Sequence, residues 1–343
     1  MLAWVIEILI KIALVQFAIM TAVAYMSLVE RKVSGWIQDR VGPNRVGPWG
    51  LLQPLADGIK FMMKEQVVPT FVHRPIYMAA PALALVPALA AFAVIPFGDR
   101  LTIGGREVTL AIADVNIGVL FVLGVASVGV YGIVLAGWAS NNKYAMLGGL
   151  RSTAQMISYE LGLGLSIVGV LMAAGSLRLS QVVEAQPGIG SWNVWTQPIG
   201  FLVFLVSAFA ETNRLPFDLP EADTELVAGY HTEYSAIKFS MFYMAEYANM
   251  ITSSALMATL FFGGWQLPFP AGWLGLEGNA LAIAQVISFV LKVAFFLFLF
   301  VWVRWTLPRF RYDQLMGLGW KVLLPLALAN IFLVAFGVTL GWI

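Results

Sequence analysis

Residues 283–303 read IAQVISFVLKVAFFLFLFVWV, a run of twenty-one positions whose single charge is Lys292. An α-helix rises about 1.5 Å per residue, so this run spans about 30 Å, the thickness of a bilayer's hydrocarbon core. It is apolar all round rather than on one stripe, and no face of it is built for water. Seven further windows of this kind lie near 4–29, 77–97, 116–138, 154–173, 197–212, 237–262 and 321–341. The fifth in chain order, 197–212, is the shortest. The expected fold class is all-α, a polytopic membrane protein with eight transmembrane helices in a single membrane domain over 1–343.

Composition agrees with that reading. The 343 residues are 60% hydrophobic and 11% charged, whereas soluble domains carry roughly a quarter charged residues. Twenty Lys and Arg stand against nineteen Asp and Glu, which excludes the concentrated positive face that nucleic acid needs. Absence of cysteine excludes thiolate-held iron–sulfur clusters, disulfides and a catalytic thiol. His73 and His231 fall in separate polar segments, so a His-ligated metal or haem is not expected, and no glycine-rich nucleotide loop follows a strand. Redox chemistry in such a chain takes its electrons from a partner. The first window runs straight into Glu30-Arg31-Lys32 with no small-residue cleavage site, so it is a span rather than a signal peptide.

Orientation follows from Lys and Arg. Fifteen fall in segments 30–76, 139–153, 213–238 and 304–321, against three in the alternate loops. The positive-inside rule makes the first set cytoplasmic or matrix-facing and puts both termini on the other side. Within 50–66, Leu52, Leu55, Ile59, Met62 and Met63 share one helical face, while Gln53, Asp57, Lys60 and Lys64 share another. That is the pattern of an interfacial amphipathic helix, or of a helix packed on a neighbouring protein.

Carboxylates at membrane depth cost at least about 2.5–3.5 kcal/mol and need a partner, water or a proton. Glu160, Glu211 and Glu246 fall in or at the end of spans, and Glu246, ten residues into the sixth, is the least able to reach water. It is either functional or a structural partner for a polar neighbour. Lys292 is a counter-charge or a snorkelling side chain. The 211–233 loop carries six acids, Glu211, Asp218, Glu221, Asp223, Glu225 and Glu233, against Arg214. Such crowding raises some carboxyl pKa values and lets protons be held near neutrality. Pro216, Phe217, Leu219, Leu226 and Val227 interleave with the acids, so the loop is expected to fold against something. In the first loop Arg31, Gln38, Arg40 and Arg45 are donors suited to quinone carbonyls or to the acids of a docked subunit.

These residues fall into a recognisable series. Glu30-Arg31-Lys32, Gln38-x-Arg40-x-Gly42-Pro43-Asn44 and Gly50-Leu51-Leu52-Gln53-Pro54-x-Ala56-Asp57 are followed by Gly137-Trp138-Ala139-Ser140-Asn141 and Ser158-Tyr159-Glu160. Then come Ala210-Glu211-Thr212-Asn213-Arg214-x-Pro216-Phe217-Asp218, Met244-Ala245-Glu246-Tyr247 and Pro308-Arg309-Phe310-Arg311-Tyr312-Asp313. In order and along nearly the whole chain, they resemble the quinone-site membrane subunits of proton-pumping NADH:quinone oxidoreductase, respiratory complex I. The resemblance implies a translocase subunit in a bacterial or mitochondrial inner membrane. Quinone, ubiquinone by expectation, is its substrate, and the chain holds no metal, flavin or iron–sulfur cluster of its own. The implied partners are other membrane subunits and peripheral subunits carrying the terminal iron–sulfur cluster. Carried onto matching positions, the resemblance implies Arg31, Gln38, Asp57 and Arg214 near the quinone chamber, and Glu160, Glu211, Asp218, Glu221, Asp223, Glu225 and Glu246 along a proton route. A self-sufficient secondary transporter would show internal repeats, and none is visible. A chemically idle anchor would leave Glu246 without a reason.

Overall fold

The computed structural model describes residues 2–219, 223–269 and 275–342. Helix α1 (Leu2–Ile37) lies at the edge of the bundle, with Leu9, Leu14 and Phe17 exposed; hydrocarbon takes the place of water around it. It is longer than the expected 4–29, because Glu30-Arg31-Lys32 are good helix formers and Glu30 is buried against partners described below. After a turn at Pro48–Gly50 comes α2 (Gln53–Met63), opened by Pro54 in its first turn, where a missing N–H costs nothing. Its apolar residues Leu55, Ile59, Met62 and Met63 are all exposed, the face the sequence assigns to the membrane interface or to a neighbouring protein.

Helices α3 (Arg74–Ala90), α4 (Gly118–Ala139) and α5 (Lys143–Ala174) pack side by side. Two short helices, α6 (Leu179–Glu184) and α7 (Asn193–Thr196), lead to α8 (Pro198–Glu211). The segments Ile189–Thr196 and Pro198–Glu211 meet at 73°, so the expected span 197–212 is one arm of a bent pair and too short to cross alone. A four-residue turn of helix, α9 (Asp223–Leu226), precedes α10 (Ala236–Phe261). Helix α11 (Gly278–Thr306) follows, and then α12 (Tyr312–Leu318) and α13 (Leu324–Thr339) run together through a π turn at Gly319–Leu323. Among the described residues the fold is helical apart from a hairpin, β1 (Arg100–Ile103) against β2 (Arg106–Thr109), antiparallel with Arg100 opposite Thr109.

Among the described residues, six helices are long and apolar enough to cross a bilayer, and the bent pair is a seventh if taken as one span. The protein is a multi-pass membrane protein. The expected sixth span is continuous as α10, but its composition is too polar to count by the same standard. Its position explains this: every residue from Met250 to Phe261 is buried, and α10 packs on α1, α3 and α11. A helix lined by protein can carry hydroxyls, provided they are bonded, and Thr252, Ser254 and Thr259 each donate to the carbonyl four residues back.

The π turn lies where Gly319 meets the ring of Tyr159, buried on α5. The Tyr159 hydroxyl donates to Leu315 O at 2.8 Å, and Trp320 Nε1 donates to Ser158 Oγ at 3.1 Å. Tyr159→Phe removes one buried hydrogen bond and is expected to lower stability by about 1 kcal/mol. Thermal melting of the detergent-solubilised assembly measures it; an unchanged midpoint means the hydroxyl does not secure α12 to α5.

Candidate functional site

A cavity of about 430 Å³ opens between α1, α2, α10 and α11. Met20, Val23, Phe61, Phe239 and Met244 make its walls apolar, and Glu30, Arg31, Asp57, Tyr247 and Arg304 give it a charged end. Helix α2 is tied to this end through Asp57, which accepts from Arg31 Nη1 at 2.8 Å, from Gln53 Nε2 at 3.1 Å and from Lys60 Nζ at 3.4 Å. Burial alone would push the Asp57 carboxyl upward, but the Arg31 guanidinium and the Gln53 bond outweigh it and hold the pKa below the ordinary value. A depressed carboxyl contributes stability above its unfolded pKa and loses it only as pH falls through the lower folded one. Protection of residues 53–63 from hydrogen exchange, corrected for intrinsic rate, is therefore expected to be flat between about pH 5 and 8. A titration inside that range would show that a different group holds α2.

Behind the cavity sits a buried ion network. Glu30 on α1 accepts from Arg214 Nη1 at 3.0 and 3.3 Å, from the Tyr247 hydroxyl at 2.7 Å and from Arg304. The Arg214 guanidinium lies 4.3 Å from the Tyr247 ring centre, a stacked placement suited to a planar cation. Burial is the largest influence and would lower the Arg214 pKa, yet Glu30, Tyr247 and Glu246 together outweigh it and hold the guanidinium above its ordinary value. Arg214 Nη2 also stands 3.7 Å from Glu246 Oε2, and the Tyr230 hydroxyl donates to Glu246 Oε1 at 3.2 Å. One guanidinium thus faces both the cavity's Glu30 and the mid-helix Glu246.

On the far side of Glu246 a small cavity of about 20 Å³ is shared by Glu211, Tyr230, Asn213, Asn249 and Glu246, large enough for about one water. The Glu211 carboxyl interacts with the like-charged Glu160, which accepts from Ser127 Oγ on α4. The described part of the acidic loop before residue 220 packs against the bundle, in line with the expectation. The Gln155 side-chain amide donates to Ala210 O, Asn213 Oδ1 and Phe217 O, and Phe217 stacks on Phe310 at 5.4 Å. Where α5 meets the segment at Gly229–Tyr230, a Cβ on Gly148 would lie 2.7 Å from Gly229 Cα and from Tyr230 N. Only glycine allows that approach of α5 to the backbone of Tyr230.

The structure gathers Arg31 and Asp57 at the cavity, and Arg214, Glu246, Glu211 and Glu160 behind it. Gln38 is elsewhere, accepting from Arg40 Nε at 2.7 Å beyond the end of α1. Asp218 pairs with Arg309 at 3.2 Å and Glu225 with Arg151 at 2.6 Å, each by its own cation. Glu221 lies outside the described residues, and Asp223 is described only by its backbone in α9. Among the described residues Lys292 donates to the backbone carbonyls of Phe262, Gly264 and Gln266 rather than to a carboxylate. Glu30, Tyr230, Tyr247 and Arg304 are site residues that sequence reasoning passed over. Glu30 and Tyr247 stood within the quoted motif series with no role attached, and Tyr230 and Arg304 carried no signal, since such a side chain is unremarkable until its partner is known.

A family profile described as NADH dehydrogenase matches residues 10–335, a range that takes in the cavity and the carboxylates behind it. The chain belongs to the NADH dehydrogenase family. Proteins named as subunits of NADH-quinone oxidoreductase are similar to it along almost their whole length. One from Koribacter versatilis is 54% identical, with 97% of each chain covered. Another, from Cytophaga hutchinsonii, is 49% identical over 95% of this chain and 97% of its own. A Rhodothermus marinus protein named NADH-quinone oxidoreductase subunit 8 is 52% identical, over 96% and 97%. As a family member, the chain is one subunit of a larger oxidoreductase and has partner subunits.

Proposed function

We propose that this chain is the membrane subunit of NADH-quinone oxidoreductase that forms the quinone chamber and couples quinone reduction to proton translocation. Quinone of the ubiquinone type enters between α1, α2 and α10, its apolar tail along Met20, Val23, Phe239 and Met244. Peripheral subunits carrying the terminal iron–sulfur cluster deliver electrons, because this chain has no cysteine with which to bind such a cluster. Sidedness follows the positive-inside count, with both termini opposite the acidic loop.

The observation that carries this reading is Arg214, held against Glu30 at the cavity and within 3.7 Å of Glu246. Reduction of quinone to quinol takes up two electrons and two protons, and the negative charge that precedes protonation arises beside this network. Unit charges about 4 Å apart interact by about 4 kcal/mol at an effective dielectric near 20, equivalent to several pKa units. A shift of that size in the Arg214–Glu30 pairing changes the proton affinity of Glu246. Glu211 and Glu160 extend the chain of carboxylates, and Asp218, Glu221, Asp223 and Glu225 follow in the acidic loop of the sequence.

Two measurements test the proposal. A photoreactive quinone analogue is expected to label residues 20–31, 53–63 or 239–247 of the assembled enzyme. Glu246→Gln and Glu211→Gln enzymes that assemble normally are expected to lose proton pumping. If both retain full quinone reduction and full pumping, the carboxylates are not the route.

A further inference from the structure

The outer end of α10 does something the carboxylate route does not use. The helix stops at Phe261, and the chain turns through Gly263 and Gly264, whose φ values of +67° and +48° lie in the left-handed region. This turn points three carbonyl oxygens, of Phe262, Gly264 and Gln266, at one point. Lys292 Nζ, arriving from the middle of α11, occupies that point and donates to them at 2.8, 2.9 and 2.7 Å. An ammonium has three N–H groups, and all three are used. The Trp192 ring covers the same nitrogen, its centre 4.8 Å away, so the cation gains a π face as well.

The turn is held from outside rather than by the lysine alone. Gln186 Oε1 accepts from Gly263 N at 3.1 Å and from Asn193 N at 3.1 Å. Phe262 packs on Trp192, Phe201 and Phe296. A Cβ at Gly263 would lie 2.7 Å from Trp192 Nε1, and one at Gly264 2.6 Å from Val183 Cγ2. Both glycines are therefore fixed by conformation and by space. Rings of backbone carbonyls that replace a hydration shell are the chemistry of monovalent-cation sites.

We propose that residues 262–266 with the Trp192 ring form a receptor for a monovalent, ammonium-type cation, filled in this chain by the tethered ammonium of Lys292. The tether makes the site independent of dissolved cations and joins α10, which bears Glu246, to α11, which bears Arg304. An apolar side chain there takes the ammonium donor from the Phe262 and Gly264 carbonyls and leaves Gln266 O with Ser288 Oγ alone, so the desolvation of these acceptors is no longer offset in full.

The test uses the assembled enzyme in its native membrane. Lys292→Met keeps the length of the stem without the charge, and a several-fold fall in assembled, melt-resistant enzyme is expected. Lys292→Ala removes the stem too, and n-butylammonium chloride is expected to restore its thermal resistance, while equimolar n-butanol and tetramethylammonium chloride do not. The native enzyme is expected to be indifferent to all three. A Met variant as stable as the native enzyme would overturn the proposal, as would equal rescue by butanol, or stabilisation of the native enzyme by butylammonium as large as that of the Ala variant. Should Lys292→Ala fail to assemble at any salt, the Met variant and Lys292→Arg decide: Arg, which keeps the cation, must assemble better than Met.

Discussion

Arg214→Ala is expected to abolish quinone reduction and most assembly of the enzyme. Arg214 and Glu30 are almost wholly removed from solvent, and taking a cation out of a buried ion network costs up to about 3–5 kcal/mol. Arg304 and Tyr247 still bond Glu30, but the contact with Glu246 is lost. Arg214→Lys separates charge from geometry, since an ammonium cannot both face Glu30 and stack on Tyr247 as a planar fork does. The Lys enzyme is expected to assemble in part and to reduce quinone slowly. Reductase rate normalised to the amount of assembled enzyme is the measurement. Native rates in the Ala variant would remove Arg214 from the account of both the cavity and the carboxylates.

Gly148→Val is expected to have the second largest effect. Its side chain would enter backbone of the Gly229–Tyr230 segment at 2.7 Å, where no flexible side chain can yield. Overpacking of this kind costs about 1–3 kcal/mol, and here the displaced group is Tyr230, a donor to Glu246. Loss of proton pumping is expected to exceed loss of quinone reduction, because the cavity lies on the other side of α10. Gly148→Ala gives a milder version of the same ratio. Equal losses in both activities would show that the glycine serves packing alone.

Much of the protein was legible in its chain. Apolar runs near twenty residues long can lie stably only across lipid, and the scarcity of charge left no alternative for residues 283–303. The spacing of Leu55, Ile59, Met62 and Met63 marked α2 as a helix with an apolar face, and that face is exposed. Glu246 stood out because a short carboxylate ten residues into a span cannot reach water. The bent pair at Thr196–Pro198 was not legible, because hydropathy sums composition over a window and carries no direction. For the same reason the sequence left Lys292 open between a counter-charge and a snorkelling side chain, since it lists side-chain ions but not which backbone carbonyls converge.

Taken alone, the order of residues determined that the chain is helical, spans a membrane, has no cysteine to hold an iron–sulfur cluster and carries ionisable groups where lipid penalises them. Those conclusions depend on transfer free energies, which belong to each residue wherever it sits. Folding decided which charges meet. Glu30 and Arg214 are 184 positions apart, and Glu30 and Arg304 are 274 apart. A Coulomb interaction depends on distance and on the dielectric around it, and neither exists until α1, α10 and α11 have packed around the same point.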